Sequence, residues 1–163
     1  MDAIDGVARR VHHGLRLLNG LHVTPGGDAL LVAETGTGHI HHFEIVAPGS
    51  LGPPTTYVDL GPDSFPDGMC FDRDGRLIVA GTGSGAAFVV APGGGTVEDT
   101  IHFADQDVTN VCFGGPDQRI LFVTQASLGR VVMIEWPVPG MGPLSRSRPR
   151  RLTMTPRAES ESG

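Results

Sequence analysis

Apolar residues in this chain come in short runs broken by turns rich in Gly, Pro and Asp. Three of the runs superpose: ALLVAET at 29–35, RLIVAGT at 76–82 and RILFVTQ at 119–125, spaced 47 and then 43 residues apart. Each follows a polar turn, respectively Pro25-Gly26-Gly27-Asp28, Asp72-Arg73-Asp74-Gly75 and Gly115-Pro116-Asp117-Gln118. Each also leads through small residues into a second apolar run: HIHHFEIV at 39–46, AAFVVAP at 86–92 and GRVVMIEW at 129–136. Short β-branched runs without a sustained helical period predict strands. A repeat of this length built from several short strands predicts propeller blades, whose antiparallel sheets bury their faces on their neighbours. Helical repeats and a parallel α/β sheet are disfavoured because no window shows the 3.6-residue period they need.

The strand count predicts an all-β, partial β-propeller of about three four-stranded blades over residues 1–144, led by an edge strand around VARRVHHG at 7–14. Residues 145–163, with Arg146, Arg148, Arg150 and Arg151 set among Ser and Pro, read as a disordered basic and polar tail. Three blades close no ring, and open sheet faces and edges demand cover. The chain is therefore expected either to be part of a longer propeller or to pair with a second copy.

The same repeat brings candidate chemistry into phase. The first strand of the successive units opens on Asn19-Gly20, on Asp67-Gly68 and on Asn110. First strands of propeller blades line the central channel, so these side chains are expected to converge near one end of it. Amide and carboxylate oxygens suit a hard divalent cation such as Ca²⁺. Asn-Gly and Asp-Gly are also common turn dipeptides, and from the residues alone both readings stand. His22 follows Asn19 on the same strand and is a candidate to reach substrate in the channel.

Composition narrows the partners. A net charge of −6 with no concentrated basic face argues against nucleic acid. No apolar stretch approaches the ~20 residues of a membrane-spanning helix, and the first residues lack the apolar centre of a signal peptide, so a cytoplasmic protein is expected. Cys70 and Cys112 both lie in apolar runs and are expected to be buried free thiols. His39 and His41 share one strand face, with His42 on the other. An H-x-H pair can bind zinc, but no Cys or carboxylate lies beside it in sequence, and surface histidines are expected. Gly81-Thr82-Gly83-Ser84-Gly85 lacks the lysine and the strand-to-helix setting of a nucleotide loop, and reads as a blade turn.

The strings NGLHVTPGGDALLVAETGTGHIHHFEI, FPDGMCFDRDGRLIVAGTGSG and VTNVCFGGPDQRILFVTQASLGRV, in that order, carry a resemblance. Over about residues 6–140 the chain resembles the C-terminal half of the gluconolactonase/regucalcin (senescence marker protein)/luciferin-regenerating-enzyme family, with PDGM at 66–69 and the TNxxFGGPD-like element at 109–117 the specific motifs. The resemblance implies a six-bladed propeller and a metal-dependent hydrolase opening a small-molecule sugar lactone or similar cyclic ester, with Ca²⁺ or Zn²⁺ as cofactor. It implies Asn19 as a metal ligand, and Asp67 as both a ligand and the catalytic base. It also implies a glutamate ligand and a further asparagine from blades ahead of Asn19, and the chain is expected to begin after both. None of Glu34, Glu44, Glu98 or Glu135 sits at a matching motif. No family role falls on Asn110, whose case rests on phase. The alternatives are a truncated, non-catalytic propeller serving as a binding or scaffold module, and an enzyme resembling strictosidine synthase or an arylesterase.

Overall fold

A computed structural model describes residues 8–142, and these form strands and turns without a helix. The first blade consists of β1 (Leu18–Val23), β2 (Ala29–Glu34), β3 (His39–Ala47) and β5 (Thr55–Asp59), with the short β4 (Ser50–Leu51) folded onto the end of β3. The second is the four-stranded meander β6 (Pro66–Phe71), β7 (Leu77–Gly81), β8 (Ala86–Val90) and β9 (Val97–His102). The third holds β10 (Val108–Gly114), β11 (Ile120–Gln125) and β12 (Arg130–Glu135). All pairings are antiparallel and join chain neighbours, except that β5 passes over the short β4 to pair with β3, and the molecule is a set of blades from a β-propeller. Among the described residues no helix is long and apolar enough to cross a membrane.

Burial follows from blade stacking. Leu31, Ala33, Ile40 and Val58 of the first blade meet Met69, Phe71, Leu77, Val79 and Val90 of the second. The opposite face of the second blade sets Cys70, Ile78, Ala80, Ala87 and Val89 against Val108, Val111, Leu121, Val123 and Trp136. Covered on both faces, β7 is buried at all of its positions and is apolar throughout, like a strand in the middle of a layered fold. On β12 the inner Val132 and Ile134 are half-buried, whereas Val131 and Met133, on the face turned away from the second blade, are 64% and 67% exposed. A polar latch ties the second and third blades. Fully buried Asp72 accepts hydrogen bonds from Arg76 Nε (2.7 Å) and Trp136 Nε1 (3.2 Å), and caps its own turn through the N–H groups of Asp74 and Arg76.

Four expectations are corrected. The leading edge strand does not form: described residues 8–17 contain no strand. Val11 stands alone between Arg9-Arg10 and His12-His13, Gly14 takes φ 103°, and the segment instead lies against the first blade, with the His12 ring 4.8 Å from Phe43. The third blade has three strands among the described residues, because the chain beyond Trp136 turns back. Gly140 N–H donates to Gln118 O (2.7 Å) and Met141 N–H to Phe71 O (2.9 Å). Cys70 is a buried free thiol, but Cys112 is exposed, since its neighbour Val111 faces the core and side chains alternate along a strand. The tail at 145–163 lies outside the described residues.

The fourth correction concerns phase. The N–H groups of Thr35, Thr82 and Ala126 donate to the carbonyls of Leu17, Phe65 and Asp107 at 3.1, 3.0 and 2.9 Å, the same closure in each blade. LLVAET at 30–35 and LIVAGT at 77–82 therefore match LFVTQA at 121–126, one residue later than the apolar runs suggest. Ile120–Val123 are apolar at both parities although only Leu121 and Val123 are buried, so the run does not mark its own register.

Candidate functional site

The inner strands β1, β6 and β10 run side by side, and glycine lets them do so. A Cβ on Gly20 would lie 2.0 Å from the carbonyl oxygen of Asp67, and one on Gly68 would lie 2.0 Å from Asn110 Oδ1. Both glycines sit inside strands, so Asn19-Gly20 and Asp67-Gly68 are points of close backbone approach rather than turns. Each inner strand also breaks register at this point: between Leu18 and Leu21, between Pro66 and Met69, and between Val108 and Asn110. A bulge leaves an extra residue unpaired and re-aims its side chain, and bulges gather beside functional sites. Entry to the first two strands is strained as well. Leu17 (φ 49°) and Phe65 (φ 44°) occupy equivalent positions in the left-handed region, which costs an L-residue roughly 1–2 kcal/mol.

Asp67 is half-buried at the bulge of β6, and its Oδ2 accepts a 2.9 Å hydrogen bond from Thr82 Oγ1. The Thr82 hydroxyl also lies 3.3 Å from Val108 O on the third blade, so the carboxylate is oriented from the seam between two blades. Thr35 holds the preceding seam by donating to Pro66 O at 2.6 Å. Among the described residues Asp67 Oδ1 takes no hydrogen bond, which leaves it for a cation or a water. Asn19 is exposed at the bulge of β1. Asn110 is exposed, and its Oδ1 accepts from Val111 N–H at 2.9 Å.

The corrected register moves Asn110 out of phase. Thr109 is the counterpart of Asn19 and Asp67, and it bonds Thr124 Oγ1 at 2.8 Å; Asn110 matches Gly20 and Gly68. Asn110 is nevertheless seated over Gly68, beside Asp67. His22 lies elsewhere. It lines a cavity of about 410 Å³ with Met69, Cys70, Val111, Cys112 and Phe113, a cavity lined by none of Asn19, Asp67 or Asn110. Its Nδ1–H donates to Val23 O (2.7 Å), and its ring meets Phe71 edge-on.

Sequence reasoning missed Thr82 and the bulges. Thr35 and Thr82 recur 47 residues apart, the interval of the first two repeats, and that recurrence was the available signal. It also missed the setting of His41, which is no surface histidine: its Nε2 lies 2.7 Å from Glu34 Oε2, with side-chain exposures of 12% and 7%. Burial pushes the Glu34 carboxyl up, but hydrogen bonds from His41, Arg16 N–H and Thr37 outweigh it and hold the pKa at about 2.

The donor set fits a hard divalent cation in part. Asn19 and Asp67 bring an amide and a carboxylate oxygen to neighbouring bulged strands, two of the roughly six to eight oxygens that Ca²⁺ takes. Antiparallel blades stacked face to face around inner strands of this kind define part of a β-propeller. The chain belongs to the SMP-30/gluconolactonase/LRE-like family, whose region matches residues 2–127.

Among known proteins it is 32% identical over 87 residues to regucalcin of Danio rerio, covering 53% of this chain and 30% of that protein. It is 29% identical over 138 residues to diisopropyl-fluorophosphatase of Loligo vulgaris, covering 81% and 44%. A gluconolactonase structure from Xanthomonas campestris superposes with a TM-score of 0.60 at 26% identity, covering 79% of this chain and 39% of that one. A luciferin-regenerating enzyme shares the fold with a TM-score of 0.70 at 21% identity, covering 78% and 48%. The matches thus cover less than half the length of these relatives.

Proposed function

We propose that this chain carries part of the channel site of a metal-dependent lactonase, a hydrolase that opens a sugar lactone or similar cyclic ester. The observation that carries the reading is Asp67, set on a bulged inner strand against Gly20 and hydrogen-bonded by Thr82. Likeness to a gluconolactonase and to a diisopropyl-fluorophosphatase supports hydrolysis as the reaction class. Asn19 and Asp67 would hold the cation, Ca²⁺ or Zn²⁺, with Asn110 alongside. When bound, such an ion polarises a carbonyl and stabilises the oxyanion that develops on it. Asp67 Oδ1 orients the attacking water, while the Thr82 hydrogen bond keeps the carboxylate from rotating away. Leu17 and Phe65, exposed and strained two residues before Asn19 and Asp67, would flank the mouth as its apolar rim.

Two donors are few for a hydrolytic metal, and this favours a second reading in which the chain is a non-catalytic binding or scaffold propeller. A strictosidine-synthase-like or arylesterase-like enzyme would share the blades and differ in substrate. In either case residues 1–144 would be the folded unit and 145–163 an appended tail. The open outer faces would be covered by a second copy.

The test is hydrolysis of gluconolactone by the purified chain with Ca²⁺, with Zn²⁺ and with a chelator, alongside Asp67→Ala. Metal-dependent turnover reduced at least about a hundredfold in Asp67→Ala is the expected result. Turnover unaffected by the chelator and by the substitution would refute the assignment, and absence of turnover with either metal would move the conclusion to the scaffold reading.

A further inference from the structure

The first blade has a second cluster of ligating side chains, outside the channel. Its pairing register runs Leu18–Glu34–His39–Asp59 straight across β1, β2, β3 and β5, so these residues share one face of the sheet. His41, two residues beyond His39, lies on the same face. Ala33, Ile40 and Val58 point the other way, into the core shared with the second blade. One donor atom from each of Glu34, His39 and His41 lies within 4.8 Å of the others, and His39 Nε2 is 3.5 Å from Asp59 Oδ2.

We infer that Glu34, His39 and His41 form a zinc-class metal site, with Asp59 within reach as a fourth ligand. Two imidazoles and a carboxylate, with a fourth position left for a carboxylate or a water, are a recurrent tetrahedral zinc set. Ligand atoms about 2.0–2.1 Å from such an ion are about 3.3 Å apart, so the wider pairs close, while His41 Nε2, 2.7 Å from Glu34 Oε2, moves off it and carries its proton on Nδ1 instead.

The hydrogen bonds prepare the site. The Thr37 hydroxyl has one proton and gives it to Glu34 Oε2 at 2.8 Å, so at 3.2 Å it accepts from His39 Nδ1–H. In that tautomer the lone pair of His39 Nε2 faces the Asp59 carboxylate, and a cation between the two, a proton or a metal ion, satisfies both. Arg16 N–H, 2.6 Å from Glu34 Oε1, fixes the other carboxylate oxygen. These contacts are the outer partners that orient ligands in metal sites. The cluster lies one to two strands out from Asn19 along the blade, so it does not depend on the channel reading.

Untagged protein titrated with Zn²⁺, and in parallel with Co²⁺ followed by its visible absorption, tests the inference. We expect one equivalent bound with a tetrahedral Co²⁺ spectrum, retained in Asp67→Ala. In His39→Ala/His41→Ala affinity falls at least a hundredfold and the spectrum is lost. Asp59→Asn, on an exposed side chain, leaves the fold intact and weakens binding about tenfold or more if Asp59 ligates. A rise in Tm with Zn²⁺ in Asp67→Ala that is absent from Asp67→Ala/His39→Ala/His41→Ala gives an independent readout, free of any ion held in the channel. No bound equivalent in the wild-type chain, or unchanged affinity in the folded double variant, overturns the site. Loss in Asp67→Ala alone would assign the ion to the channel instead.

Discussion

Cys70 and Cys112 are the chain's two thiols, one on each side of a packing boundary. Cys70 lies between the second and third blades, where burial pushes its thiol up and keeps it in the protonated, unreactive form. Cys112 sits on the exposed face of β10. A disulfide reagent should therefore modify one thiol in the native protein and both in denaturant, and Cys112→Ser should abolish the native reaction. Rapid labelling of both thiols in the native state would show that the blades part easily. At the same scale, Thr82→Val removes the donor that orients Asp67 while preserving its volume. It should lower kcat of the proposed hydrolysis about tenfold or more and leave stability within about 1–2 kcal/mol, as measured by steady-state kinetics beside urea unfolding.

Between elements, two features carry the geometry. Gly20→Ala would drive a methyl group into the Asp67 backbone, which cannot swing aside as a side chain can. We expect a loss of about 2–3 kcal/mol in urea unfolding, together with loss of any ligand bound at Asp67, because β1 and β6 must separate. The Asp72 latch acts between the second and third blades. Asp72→Ala removes the acceptor of the buried Trp136 N–H and of Arg76 Nε, leaving the part-exposed guanidinium with Asp74 at 3.7 Å, and should cost about 2–3 kcal/mol. A loss under about 1 kcal/mol would mean that water replaces the carboxylate and that the apolar layer alone holds the blades together.

For the whole molecule, the two outer faces set the behaviour. Val131 and Met133 on the third blade and Leu18 and Leu21 on the first are exposed apolar side chains at opposite ends of the stack. Open faces of this kind favour association, and two such half-rings would close head to tail through two equivalent contacts. Light scattering should show a dimer whose fraction rises with concentration, and Met133→Glu should shift it toward monomer. A single monomer mass across a hundredfold concentration range would remove the pairing proposal.

Repeat spacing, β-branched runs and turn composition determined the blade architecture by themselves, because each blade is a local antiparallel meander whose main strands pair in chain order. They also placed Asn19 and Asp67 on inner strands, since the Asn-Gly and Asp-Gly dipeptides recur at the start of two units. What only the tertiary structure decided lies across strands and between blades. The register of β11 was invisible in a run apolar at both parities, so Asn110 passed for the counterpart of Asp67 when Thr109 holds that position. The bulges that aim Asn19 and Asp67 arise from pairing with the next strand. Glu34 meets His39 and His41 only because the β2–β3 register sets them face to face, a proximity that adjacency in sequence does not express.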